Sequence, residues 1–116
     1  MSTQTKIQKI QTALTQISNL NVYHYFAPSN SSLPYCVWYE EREDSSLQAN
    51  NSKAEQAIGG YVDYYTKTEF DAMFDSIQAA LNGVENCYWE YESTIYGDPS
   101  NENNNVIHHT WSWRVM

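Results

Sequence analysis

The residues of this chain whose types and spacing could do chemistry are an adjacent histidine pair, a few carboxylates and two cysteines. His108 and His109 sit in VIHHTWSWRV, a sequence that alternates like a strand. Neighbours on a strand point to opposite faces, so the two imidazoles cannot share a metal without distortion. No Cys or carboxylate stands near them at a ligand spacing, and the plain reading is one ring packed beside Trp111 and the other facing water. Glu90 and Glu92 fall on one face of CYWEYESTIYG, with Glu40 or Asp63 able to approach from neighbouring strands. Paired carboxylates suit a hydrolase only where a cleft raises the pKa of one of them, and nothing here encodes a cleft. Gly59-Gly60 is too short for a phosphate loop, and no serine carries a nucleophile-elbow sequence. Cys36 and Cys87 each fall inside a strand-like run without CxxC spacing, which reads as buried free thiols in a reducing compartment. The chain is therefore expected to be no enzyme and to carry neither cofactor nor metal.

The elements that must position these residues are few. A length of 116 residues fits one domain, 1–116, with a single core. Ile7, Ile10, Leu14 and Ile17, extended by Ala13 and Leu20, recur at helical spacing and predict an amphipathic helix from about residue 3 to residues 19–21. VYHYFAPSNSSLP reads as a reversing loop, because Pro28 and Pro34 bracket a Ser and Asn cluster. YCVWYEE (35–41) is a first strand. Residues 42–56 lose hydrophobic periodicity and read as a long polar loop of the functional kind. Pairing resumes at Ala57, with Gly59 and Gly60 marking a bulge or bend before the alternating run 61–65.

A second helix follows at once. Thr66 with Glu69, or Thr68 with Asp71, offers a capping box. Its stripe is Phe70, Met73, Phe74, Ile77, Leu81 and Val84, with Gly83 placed for a left-handed cap. Two strands close the chain: the first sets Trp89, Tyr91, Ser93 and Ile95 against Tyr88, Glu90, Glu92 and Thr94, and a polar tip, 97–105, joins it to 106–115. The order α-β-β-α-β-β predicts an α+β domain with a four-stranded, mainly antiparallel sheet and both helices on one face.

Charge and aromatic content narrow the function. Fourteen acidic against six basic residues give a net charge of −8, and the cations are scattered. That disfavours binding to a nucleic-acid backbone, and leaves base stacking on the rings without its electrostatic partner. No segment predicts a signal peptide or a bilayer span. Ten Tyr and four Trp exceed what one sheet face buries easily, and such rings favour protein contact.

GYVDYYTKTEFDAMFDSIQAAL and the closing hairpin IYGDPSNENNNVIHHTWSWRV resemble the small tail-completion or tail-terminator proteins of tailed phages and prophages of Gram-positive bacteria. The wording agrees at residues 57–81 and 106–115, and the pattern of elements agrees over nearly the whole chain. The resemblance implies a non-enzymatic virion protein, made in the host cytoplasm, that forms a homo-oligomeric ring, a hexamer, at the head-proximal end of the tail tube. Its partners would be tube and neck proteins, with neck or head-tail joining proteins of related fold as the alternative position. A ring needs a heterologous interface that closes by rotation. The polar loop and the tip are then the segments expected to order on assembly, with Arg42, Glu43, Asp44, Leu47, Lys53, Tyr61, Tyr65, Tyr96 and Asp98 as interface residues, and an acidic inner rim would let DNA slide without sticking. A different class, a monomeric acidic inhibitor that binds a basic partner, accounts for the same charge.

Overall fold

In a computed structural model the chain is described for residues 2–49, 52–98, 100–101 and 104–116, without the side chains of 44–49 and 52–55. The elements are α1 (Thr3–Thr15), β1 (Asn21–His24), β2 (Tyr35–Ala49), β3 (Ser52–Thr66), α2 (Ala72–Asn82), β4 (Cys87–Tyr96) and β5 (Ile107–Val115). The strands form one five-stranded mixed sheet in the order β1-β2-β3-β5-β4, where only β1 against β2 is parallel. The α+β class and the two helices agree with the sequence. The four-stranded count does not, because VYHY, set aside as loop, adds to the edge of β2 through pairs such as Val22↔Cys36.

One face of the sheet is clad by both helices. Ile10 and Leu14 of α1 and Ile77 and Leu81 of α2 are buried against Cys36, Trp38, Val62, Tyr64, Trp111, Trp113 and Val115. These strand positions share one parity in register, as in Trp38↔Val62↔Trp111. Each fully buried aliphatic side chain contributes about 1.5–3 kcal/mol, so this layer dominates the stability of the domain.

Helix ends depart from expectation for local reasons. Ser2 caps α1 by accepting from the Thr5 N–H. Its last turn tightens, with Ile17 N–H donating to the Leu14 carbonyl, and Asn19 takes a left-handed φ of 63°, so the helix stops before residue 19. Neither threonine caps α2; Asp71 does, accepting from Met73 N–H at 2.9 Å. Phe70, assigned to the apolar stripe, instead holds a left-handed φ of 51° outside the helix with its ring fully exposed. Gly83 is right-handed at φ −83°, and the left-handed step falls on Asn86.

The largest correction concerns residues 42–56, expected as a loop: 42–49 and 52–56 are strand, and the remaining two lie outside the described residues. β2 and β3 pair from Tyr35↔Tyr65 to Ala49↔Ser52 and form an arm that runs beyond the other strands. Beside β2, β1 reaches only Trp38; beside β3, β5 reaches only Ile58. The molecule is accordingly elongated, 59 × 25 × 24 Å.

At the root of the arm the pairing shifts between Glu40↔Gly60 and Arg42↔Gly59, where a bulge or bend was read from the glycines. A Cβ on Gly60 would lie 2.0 Å from the Tyr39 carbonyl oxygen and 2.6 Å from the Trp113 ring, so the close approach of strand and indole requires glycine there.

Candidate interaction surface

The face of the sheet turned away from the helices is built in rungs by the register. Tyr35, Tyr65, His108 and Ile95 lie side by side across four strands. Beyond them come Val37, Asp63, Thr110 and Ser93, then Tyr39, Tyr61, Ser112 and Glu90. Tyr23 of β1 pairs with Val37 in the second rung and sets its ring edge-on to Tyr35 at 6.0 Å.

The rings of this surface pack on one another. Tyr35 stacks on Tyr65 at 5.0 Å, and Tyr65 on His108 at 4.4 Å. The two faces of Tyr65 are thus taken by its neighbours, which leaves its edge to meet an arriving partner. Burial, aided by the charge of Asp63, pushes the Tyr65 phenol up to about 12. It is a neutral hydroxyl at physiological pH, able both to donate and to accept.

Below the rings, Asp63 Oδ1 lies 2.8 Å from His108 Nε2 and accepts from the Thr110 hydroxyl at 2.8 Å. Thr110 Oγ1 is also 3.3 Å from that same histidine nitrogen. A nucleophile relay needs the two imidazole nitrogens to face different partners. Here one nitrogen serves both, so the trio holds strands together and activates no hydroxyl.

Glu90 and Glu92 do share the open face, lining one hollow together with Ser112, while Glu40 stands apart from them. Glu40 lies 2.7 Å from His24 Nε2 and belongs to the helix side of the sheet, whereas Glu92 accepts from Ser112 at 2.6 Å. Glu92 stands at a register shift between Tyr91↔Trp111 and Ser93↔Thr110. That shift reverses the alternation read from the sequence: Thr94 joins His109 on the helix side, bonded at 2.8 Å, and exposed Ile95 turns to the open face.

His109 itself lies among Tyr64, Phe74 and Trp111, opposite in direction to His108 as adjacent strand residues must be. Burial pushes its pKa below the usual value, with Asp71 opposing and His108 reinforcing the shift. Among the described residues no three His, Cys, Asp or Glu side chains gather as a metal site. The cysteines are free; burial raises the Cys36 thiol to about 12 and Cys87 to about 11, which makes both poor nucleophiles.

The residues nominated from sequence separate into three places. Tyr61 and Tyr65 are on the open face. Arg42 and Glu43 are at the root of the arm, opposite Gly59 and Ile58. Asp44, Leu47 and Lys53 follow along its backbone, with side chains outside the description. Tyr96 and Asp98 lie at the other end of the sheet, where β4 meets Ile107. Asp98 accepts from the Ser100 N–H and hydroxyl, and its own N–H donates to the Asn104 carbonyl. The expectation of a mobile tip also covers residues 99, 102 and 103, which lie outside the described residues.

No family model matches this chain, and no curated protein matches it significantly.

Sequence reasoning missed β1, hence Tyr23 and His24, and it missed the exposure of Phe70. The four residues of β1 are too short a run to show a pattern of their own. No helix among the described residues is long and apolar enough to cross a membrane.

Proposed function

We propose that this protein is a non-enzymatic virion assembly component of a tailed phage or prophage. In this reading it is a tail terminator that closes into a ring of copies on the head-proximal end of the tail tube. The observation that carries the reading is the arm: from Ser45↔Ala57 to Ala49↔Ser52, β2 and β3 form a two-stranded ribbon that no third strand joins among the described residues. Open strand edges are templates for another chain. Here the ribbon stands off an elongated body, beside a sheet face whose aromatic edges no helix covers. Arm and face lie in different places on the molecule, as a heterologous interface requires. The phage position comes from the resemblance at 57–81 and 106–115, and a neck connector of related fold is the neighbouring reading.

The test is tail length in a lysogen that carries a chain with residues 43–56 replaced by a short turn. A ring that caps the tube through its arm predicts tails that grow past their normal length and lack heads. Tails of normal length on infectious particles would refute the reading.

A further inference from the structure

A pocket of about 320 Å³ opens on the helix side, at the end of the sheet opposite the arm. Phe74, Ile107 and His109 form its floor, with the Phe74 ring edge-on to His109 at 4.8 Å. Phe70 and Tyr96 stand as walls. Tyr96 is 68% exposed and Phe70 102%, the latter on a left-handed backbone that a bulky residue rarely adopts. Two large rings thus flank an apolar floor and bury little surface within their own chain.

The charge of the pocket has one sign. Glu69, Asp71 and Asp75 line it, and no Lys or Arg does among the described residues. Asp71 is already committed, accepting from Tyr64 and Thr66 hydroxyls at 2.5 and 2.8 Å and capping α2. Because a carboxylate sits on that helix end, the pocket does not offer it to an arriving anion. Glu69 and Asp75 are exposed and lie at the rim. His109 brings no compensating positive charge at neutral pH, since burial favours its uncharged form.

Apolar walls below a carboxylate rim match a long hydrocarbon stem that ends in a cation. We propose that the pocket receives a lysine or arginine side chain from a basic, aliphatic segment of a partner protein. The stem would lie between Phe70, Phe74 and Tyr96, and the charged head between Glu69 and Asp75. This assignment stands whether or not the ring reading is correct.

The experiment is an amide NMR titration of the full chain with the peptide acetyl-Ala-Leu-Lys-Leu-Ala-amide. Two control peptides replace lysine by norleucine, which keeps the stem without the charge, or by glutamate. Saturable shifts at Phe70, Phe74, Tyr96 and His109 are expected with the lysine peptide. Binding should be about fivefold weaker for norleucine, the factor that one exposed ion pair supports, and undetected for glutamate. The Glu69→Gln and Asp75→Asn double variant should bring lysine binding down to the norleucine level, whereas Phe70→Ser should weaken both peptides. Equal affinity for lysine and norleucine, unchanged binding by the double variant, shifts confined to other residues, or no shifts up to about 10 mM peptide would each overturn the proposal.

Discussion

The two faces of this sheet carry similar chemical wealth and use it differently. On the helix side Trp38, Trp111, Trp113 and Tyr64 are at most 2% exposed and lock against Ile10, Leu14, Ile77 and Leu81. On the open side Tyr35, Tyr65 and Tyr61 stand only half-buried, with Tyr65 between Tyr35 and His108 and Tyr61 against Tyr39. Aromatic content alone does not separate a core from a surface. Helices cover one set of rings, and the other set covers itself, leaving hydroxyl-tipped edges for contact.

The contrast can be broken most severely from within the core. Trp111→Ala removes a fully buried indole that donates to Gln78 Oε1 at 3.0 Å. It should cost about 3–5 kcal/mol, enough to leave much of the chain unfolded in urea titrations near neutral pH. A loss below about 1 kcal/mol would mean that the helix layer is not what holds the domain together.

A middle-sized effect lies where Tyr64 of the core meets the Asp71 carboxylate. Tyr64→Phe removes a hydroxyl that donates to Asp71 at 2.5 Å and should cost about 1.5–3 kcal/mol. The same network sets a pH dependence. Burial pulls the Asp71 pKa upward, but hydrogen bonds from Tyr64, the Met73 N–H and Thr66 outweigh it and hold the carboxyl below 3.8. His109 is held below 6.5, chiefly by burial.

In both cases the unfolded chain binds its proton first, so each group stabilises the fold above its ordinary pKa and that contribution is lost on acidification. Thermal melts should therefore show stability falling as pH drops below 6.5, and falling again below 3.8. A His109→Gln variant should lose the first step and keep the second. Melts independent of pH between 7 and 5 would contradict the placement of His109.

The smallest stability effect, and the sharpest functional one, belongs to the open face. Replacing Tyr35 and Tyr65 by serine removes the Tyr35–Tyr65 and Tyr65–His108 stacks and the edge contact of Tyr23, each worth only about 0.2–1 kcal/mol. If the face serves self-association, sedimentation of the double variant should show monomer at concentrations where the parent chain assembles. A variant that unfolds like the Trp111 substitution would erase the distinction between the two faces.

How much of this was legible in the sequence depended on whether alternation survived. β5 keeps its parity without interruption, so the alternation read in VIHHTWSWRV is the one that separates its two faces. β4 keeps it only to Tyr91, because the extra residue at Glu92 shifts the register and sends Ile95 to the other face. The arm has three such shifts, between Glu40/Arg42, Glu43/Ser45 and Leu47/Gln48. Each resets which side chains share a face, so a long strand pair looked like a polar loop.

β1 is four residues long, too short for a pattern to declare itself beside two prolines. Phe70 fitted the helical spacing of α2, yet a left-handed backbone ahead of the Asp71 cap removes it from the helix. The proposed surface was partly legible: Tyr61 and Tyr65 share the open face as aromatic content suggested. Tyr96 and Asp98 belong to the far end of the molecule, and no local pattern could have separated them.

Position 60 has a consequence for how chains with this fold can diverge. The atoms that crowd a Cβ there include the Tyr39 carbonyl oxygen and the Glu40 Cα, which are main chain, as well as the indole of Trp113. Trimming the tryptophan would free only part of that space. A descendant could therefore exchange residue 113 for something smaller and still be bound to glycine at 60, unless the two strands themselves moved apart at the point where the arm departs.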